Sequence, residues 1–235
     1  MKIFGVQFDY GESNDYDRLA AVFAKSVELN CPAAELTIAR IDAPTEVKSA
    51  KGMTSNHSKF KVWERFVSEQ SDGEHVVLMD VDMMVLGDLR PAFKLANFDI
   101  GLTRRTTTKW PYNGGVIFVR VNQKSKAFIQ TWGQIDDQMY REPAMHDPYK
   151  LVYKGQNQAS LGWMVEHNTE TAIVEFPCVK WNACNEDWAT LNLAETVAVH
   201  IKSNLRWACL GKTGRPSKLR HVVNAWRAIA AKVDE

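Results

Sequence analysis

The sequence predicts an α/β fold, a mostly parallel central sheet flanked by helices, with residues 1–235 forming one domain. Strand-like and helix-like segments alternate through the first 80 residues, the pattern of parallel strands joined by right-handed crossovers. A chain of 235 residues, 45% of them hydrophobic, is long enough to bury a sizeable core without disulfide or metal staples. With 24% charged residues, 13 Gly and 8 Pro, it is neither low-complexity nor disordered in composition.

The elements follow in order. Ile3–Phe8 is apolar and reads as a strand, broken by Asp9-Tyr10-Gly11. Leu19, Phe23 and Val27, four apart, mark a helix over Asp15–Leu29, with Pro32 beyond its end. Ala34–Ile41 reads as a second strand. Phe60, Trp63 and Phe66/Val67 share one face of a helix over Asn56–Ser68, ended by Ser71-Asp72-Gly73. His75–Met79 is then a buried strand. Asp99–Thr103 and Val116–Arg120 are strand-like, with Asn113-Gly114-Gly115 opening the latter. Phe128, Trp132, Ile135 and Met139 stripe a helix over Asn122–Tyr140. Met139–Tyr153, with Pro143 and Pro148, reads as an irregular loop. Gly155–Glu166 reads as helix, and Thr171–Phe176 and Thr196–Ile201 as late strands. Leu219, Val222, Val223, Trp226 and Ile229 face inward from a last helix over Ser217–Lys232.

Charge is uneven. The net value is +1, but the first 199 residues carry −5 and the stretch from His200 carries +6. Bulk-charge binding of nucleic acid is thereby disfavoured. The basic C-terminal helical end, from about residue 203 and including Lys212 and Arg215, suits an anionic ligand nearby. Cys31, Cys178, Cys184 and Cys209 have no metal or disulfide spacing and read as reduced, buried thiols. No signal-peptide core can be drawn at the N-terminus, and no apolar run approaches the ~20 residues of a membrane span. A soluble, cytoplasmic protein is the expectation.

Ligands in such sheets bind at the carboxyl ends of the strands, which directs attention to the residues after Phe8 and after Met79. Asp80-Val81-Asp82 stands at the second place. A chain with 14 aspartates holds about one Asp-x-Asp by chance, and Asp15-Tyr16-Asp17 is such a triplet, placed where a helix N-terminus favours acids. Asp80 and Asp82 differ in context, lying between two apolar runs at the sheet rim. Two half-buried like charges there are costly unless a cation joins them. Residues i and i+2 of an extended chain point the same way, so both carboxylates can reach one hard divalent ion.

The segment His75-Val76-Val77-Leu78-Met79-Asp80-Val81-Asp82-Met83-Met84-Val85-Leu86-Gly87-Asp88-Leu89 resembles the strand–DxD–strand region of GT-A nucleotide-sugar glycosyltransferases. It is most similar to glycosyltransferase family 8. Lys59 on the preceding helix, Asn113-Gly114-Gly115-Val116, Gly155-Gln156-Asn157-Gln158 and the late His200 fall in that family's order, so the likeness spans about 200 residues. It implies a GT-A (nucleotide-diphospho-sugar transferase) fold and a metal-dependent hexosyltransferase, retaining, with a UDP-sugar donor. The acceptor, a glycan, lipopolysaccharide, protein or other anionic molecule, is left open, as is the oligomeric state.

The resemblance also implies roles for particular residues. Asp80, Asp82 and His200 match the metal ligands, with Mn²⁺ favoured over Mg²⁺ by the imidazole. Phe8, Asp9, Tyr10 and Val81 match the positions that meet the base and ribose, and Lys59 a basic residue on the diphosphate or sugar. Asn113 and Gly114 match the strand entry that faces the sugar hydroxyls. Gln158 matches the amide that faces the anomeric carbon of retaining members, and Asn157 stands where an Asp is usual. Lys202 and Arg206 follow His200 without the family's intervening Gly and Pro and match its diphosphate-neutralising cations. A front-face reaction is implied, the diphosphate taking the acceptor's proton. The alternatives are a sugar-phosphate nucleotidyltransferase, for which Asp9-Tyr10-Gly11-Glu12 is a poor glycine-rich loop, and a non-catalytic nucleotide-sugar binder, suggested by Asn157. Gly211-Lys212-Thr213 is no phosphate loop, because Arg206 stands where the first glycine is needed. Trp63, Trp132 and Trp226 read as core. The other five tryptophans fall near loops, where one or two suit an acceptor platform.

Overall fold

The computed structural model describes residues 1–10, 15–43, 51–214 and 217–235, and of 51–56 the backbone alone. Gly11, Glu12 and Arg215, named above, lie outside the described residues. In chain order the elements are β1 (Lys2–Asp9), α1 (Asp15–Asn30), β2 (Glu35–Asp42), α2 (Lys51–Ser68), β3 (His75–Asp80), β4 (Met83–Val85), α3 (Ala92–Leu95), β5 (Ile100–Arg104) and β6 (Tyr112–Arg120). Then follow α4 (Gln123–Arg141), α5 (Pro143–Tyr153), α6 (Gln156–His167), β7 (Ile173–Pro177), α7 (Cys178–Trp181), β8 (Ala198–His200), α8 (Ser203–Cys209) and α9 (Arg220–Ala231).

The main sheet has the order β2-β1-β3-β6-β5-β7, with β1–β2, β1–β3 and β5–β7 parallel and β6 antiparallel to both neighbours. Because β6 runs against both of its neighbours, β1, β2, β3, β5 and β7 all end on one edge, where β6 begins. That edge collects Asp9, Asp80, Arg104 and Asn113. Val76–Met79 of β3 are wholly buried, as a strand covered on both faces must be. Val77 and Met79 pack with Ala20, Phe23 and Val27 of α1. Val76 and Leu78 pack on the other face with Phe60, Trp63 and Val67 of α2 and Trp132 of α4. A second sheet, β4–β8, pairs Met83 with His200 and so brings a late histidine beside the Asp80–Asp82 corner.

Asn122 and Ser125 close a reciprocal capping box at the start of α4, each side chain accepting the other's backbone N–H (2.9 and 3.0 Å). The loop expected over Met139–Tyr153 is instead helical: α4 continues to Arg141 and α5 follows. Pro143 sits in the first turn, where its missing N–H is no loss. Pro148, inside α5, removes one helical bond, and packing compensates. The Tyr153 ring stacks on Tyr112 and Tyr149, and its hydroxyl donates to Glu166 (2.6 Å).

Gly162 of α6 makes room for that ring, since a Cβ there would lie 2.3 Å from it. Gly162→Ala is expected to destabilise the fold by about 1–3 kcal/mol in urea denaturation by pushing Tyr153 off its partners. All four cysteines are free and buried. Trp63, Trp132, Trp181, Trp188 and Trp226 are core, whereas Trp207 is exposed. No helix among the described residues is long and apolar enough to cross a membrane.

Candidate active site

Asp80 ends β3, and Asp82 precedes β4 after a tight corner. The intervening Val81 turns its side chain into the core, next to Gly5, where a Cβ would meet it at 3.0 Å. His200 Nε2 lies 3.1 Å from Asp82 Oδ1 and 3.6 Å from Asp80 Oδ2. The other oxygen of each carboxylate faces a cation: Asp80 Oδ1 accepts from Lys59 Nζ (2.5 Å), and Asp82 Oδ2 from the Arg206 guanidinium. Each acid is thus oriented from behind while its free oxygen converges on the imidazole.

One donor atom from each of Asp80, Asp82 and His200 lies within 4.8 Å of the others. Two hard oxygens and an imidazole nitrogen form a donor set that suits Mn²⁺ or Mg²⁺. Asp82, His200 and Lys59 are buried, so little water screens these charges. Burial by itself would raise the Asp82 carboxyl, but His200 and then Arg206 hold it well below the usual carboxylate range. Arg206 also donates to the Tyr16 hydroxyl (2.8 Å) and the Ile201 carbonyl (3.3 Å). Lys59 lies over the Trp63 ring at 4.4 Å.

The start of β6 joins this carboxylate group to a group of amides. Gly115 faces His200, with a Cβ there falling 2.6 Å from the ring, while Gly114 faces Asn157, 3.6 Å from a Cβ. Asn113 Oδ1 accepts from Gly115 N (3.0 Å), and its buried Nδ2 has no hydrogen-bond partner among the described residues. Gln158 Nε2 donates to the Tyr112 carbonyl (2.6 Å). Asn113, Gly114, Asn157 and Gln158 therefore meet where β6 begins and α6 begins.

The remaining residues named from the sequence lie around these two groups. Phe8 is half-buried near the end of β1, and Asp9 is 3.7 Å from Arg40. The exposed Tyr10 ring lies 6.4 Å from Tyr16, which links it through Arg206 to Asp82. Lys202 stands beside the Cys184–Asp187 turn, where its charge acts on Cys184, Glu186 and Asp187. A second cluster, Cys184, Glu186 and Asp187, has structural partners: Asp187 accepts from Cys184 N (3.0 Å), and Glu186 accepts from Arg105 (2.5 and 2.7 Å). Asp15 and Asp17, expected at a helix N-terminus, lie in the first turn of α1, and they also pair with Lys212 (2.6 Å) and with Gln7 (2.5 Å) and Arg40 (3.1 Å).

Tyr16 and the role of Gly115 are not evident from sequence. Tyr16 is 190 residues from Arg206, and Gly115 reads equally well as a tight strand entry. Gly115→Ala is expected to displace the His200 ring. With UDP present, metal-dependent thermal stabilisation should fall at least about tenfold in apparent affinity, with the fold retained. Unchanged metal dependence would show that the ring is not seated by this glycine.

The family model described as nucleotide-diphospho-sugar transferase matches residues 16–204. Among solved structures, the chain is similar to a glycosyltransferase involved in glycosylation of the major capsid of PBCV-1. Identity is 11%, coverage is 87% of this chain and 94% of that one, and the TM-score is 0.60. It is likewise similar to the galactosyltransferase LgtC in complex with donor and acceptor sugar analogues (12% identity, 99% and 96% coverage, TM-score 0.60). A third likeness is to the glycosyltransferase GlyE of Streptococcus pneumoniae TIGR4 (15% identity, TM-score 0.62), where the match covers 98% of this chain and 62% of that one. At these identities the structural likeness establishes the fold. Comparison with curated protein sequences gives no match.

Proposed function

The chain belongs to the nucleotide-diphospho-sugar transferase family and has the GT-A fold, and on that premise we propose that it transfers a hexose from a UDP-sugar with retention at the anomeric carbon. The observation that carries the proposal is the split use of the two carboxylates. One oxygen of each is held by Lys59 or Arg206, and the other faces His200.

Breaking the bond between sugar and diphosphate leaves negative charge on the departing phosphate. Asp80, Asp82 and His200 would hold a Mn²⁺ or Mg²⁺ ion, which supplies Lewis-acid neutralisation of that charge. The two carboxylates are already balanced by Lys59 and Arg206, so a divalent ion and the diphosphate are expected to enter together. Arg206 is bonded to Asp82, Tyr16 and the Ile201 carbonyl, which favours a site organised before the donor arrives. Phe8, Asp9 and Tyr10 line the end of β1, where the base and ribose lie in this reading, and the Val81 backbone borders it. Lys202 adds positive charge for the leaving group.

On the sugar side, Asn113 Nδ2 is a buried donor with no hydrogen-bond partner among the described residues, and in this reading it would meet a sugar hydroxyl. Gly114 lets the chain pass close to the ring, and Asn157 and Gln158 present amides. Neither α6 residue is a carboxylate, so no nucleophile for a double displacement stands there. The acceptor hydroxyl therefore attacks from the face the diphosphate leaves, Gln158 lines the opposite face, and the hydroxyl proton passes to a diphosphate oxygen.

A screen of nucleotide sugars for slow hydrolysis tests the proposal. UDP release from at least one UDP-sugar, dependent on Mn²⁺ and suppressed by EDTA, is the expected result. Pyrophosphate formation from a nucleoside triphosphate and a sugar phosphate would instead indicate nucleotidyl transfer. Binding without release from any donor would indicate a non-catalytic binder.

A further inference from the structure

The cleft edge carries a second charged feature that the donor chemistry does not use. The 105–110 segment follows the carboxyl end of β5 and leads into β6, on the same edge as Asp80 and two residues before Tyr112, whose carbonyl holds Gln158. In it Trp110 has a positive φ (61°), as does Lys154 (56°) just before Gly155 and α6. Such backbone is costly for these residues and persists only where the surroundings enforce it. Trp110 N donates to the Val152 carbonyl (2.7 Å), tying this segment to the end of α5.

The result is a pair of ammonium groups on one indole, Lys154 Nζ at 4.1 Å and Lys109 Nζ at 5.2 Å from the ring. Neither lysine has an ion-pair partner among the described residues. The carboxylates of the flanking elements have partners of their own: Glu175 of β7 with Arg104 and Tyr112, Glu186 with Arg105, and Glu166 of α6 with Tyr153. Two like charges gathered at one ring with no counter-ion among the described residues raise the local positive potential, and an anion at that rim lowers it.

We propose that Lys109, Trp110 and Lys154 form an acceptor subsite for a saccharide bearing an anionic group, a phosphate or a sulfate. The inference rests on the transferase reading and adds the acceptor's chemistry to it. The anionic group meets the ammonium groups at the Trp110 ring, and the sugar body extends toward Gln158. The excess positive charge of the C-terminal end is a weaker argument for the same chemistry, because Arg206 and Lys212 there pair with Asp82 and Asp15.

The test is calorimetric titration of the full chain with glucose, glucose 6-phosphate and glucose 6-sulfate, each with and without saturating UDP and Mn²⁺. UDP fills the donor's own phosphate site, so remaining binding reports the rim. Both anionic sugars should bind about tenfold more tightly than glucose, and the preference should weaken with added salt. Tighter binding of one anionic sugar alone would identify the group taken. The Lys109→Gln/Lys154→Gln double variant should lose the preference and keep its affinity for UDP, which also reports its folding. Arginine at both positions should restore the preference. An equal affinity for glucose and both anions in the native chain, or a preference that survives the glutamine substitutions, overturns the subsite. Failure of UDP to bind the native chain counts against the donor reading instead, and the rim is then judged from the titrations without nucleotide.

Discussion

Asp82→Asn is expected to lower UDP release from the donor by about 10²–10³-fold while the chain still folds. The substitution keeps the shape of the side chain and removes its charge. The oxygen that converges with Asp80 on His200 becomes a weak ligand, and Arg206 loses the anion that fixes it. A stability loss of about 1–3 kcal/mol should accompany the change, because Arg206 is half-buried and left short of a partner. The pH dependence has a definite sign. The Asp82 carboxyl is held below its usual range in the folded chain, so its contribution is complete above about pH 4 and is lost as pH falls toward the depressed folded value. Acid unfolding should therefore be less steep in the Asn variant. Release within tenfold of the native rate would show that Asp82 is not in the reacting centre.

Asp136→Ala is expected to cost about 3–5 kcal/mol of stability. Asp136 is 1% exposed and stands between three helices. Its Oδ2 faces His57 Nδ1 of α2 (2.8 Å), and its Oδ1 accepts from Ser160 Oγ of α6 (2.8 Å), which in turn accepts from Trp132 Nε1 (2.9 Å). Its backbone carbonyl accepts from Gln156 Nε2 (3.0 Å). Removing the carboxylate leaves the buried His57 Nδ1 without its partner and Ser160 Oγ with only the carbonyls of Asn157 (3.1 Å) and Gln156 (3.4 Å). The same helices present Lys59, Asn157 and Gln158 to the cleft, so donor affinity should fall along with stability. Asp136→Asn keeps part of the bonding and should cost about 1–3 kcal/mol. Chemical denaturation giving less than about 1 kcal/mol for the alanine change would contradict this role.

Much of the architecture is legible from local pattern. β1, β2 and β3 come from apolar runs and their punctuation, and the amphipathic faces of α1, α4 and α9 from spacing. The Asp80–Asp82 corner is visible because an acidic pair between two buried runs contradicts the preference of those runs. Other features depend on distant pairing. His200 reaches the carboxylates through the β4–β8 register, and Tyr16 meets Arg206 across most of the chain. α5 is misread because two prolines suggest a loop, while the contacts that stabilise the helix come from Tyr112 and Gly162 elsewhere. Asp136 was within reach of sequence reading: it lies four residues after Trp132 and three before Met139, on the buried stripe, where a carboxylate needs partners. The partly buried Ile135 occupies the flank of that stripe instead.

Calorimetric titration of UDP into the native chain, with Mn²⁺ and then with EDTA, probes the carboxylate–imidazole group most directly. UDP should bind at least about tenfold more tightly with the ion present, and Mn²⁺ without nucleotide should bind weakly, since Lys59 and Arg206 already balance the two acids. Equal UDP affinity in EDTA would mean that Asp80, Asp82 and His200 serve the fold alone.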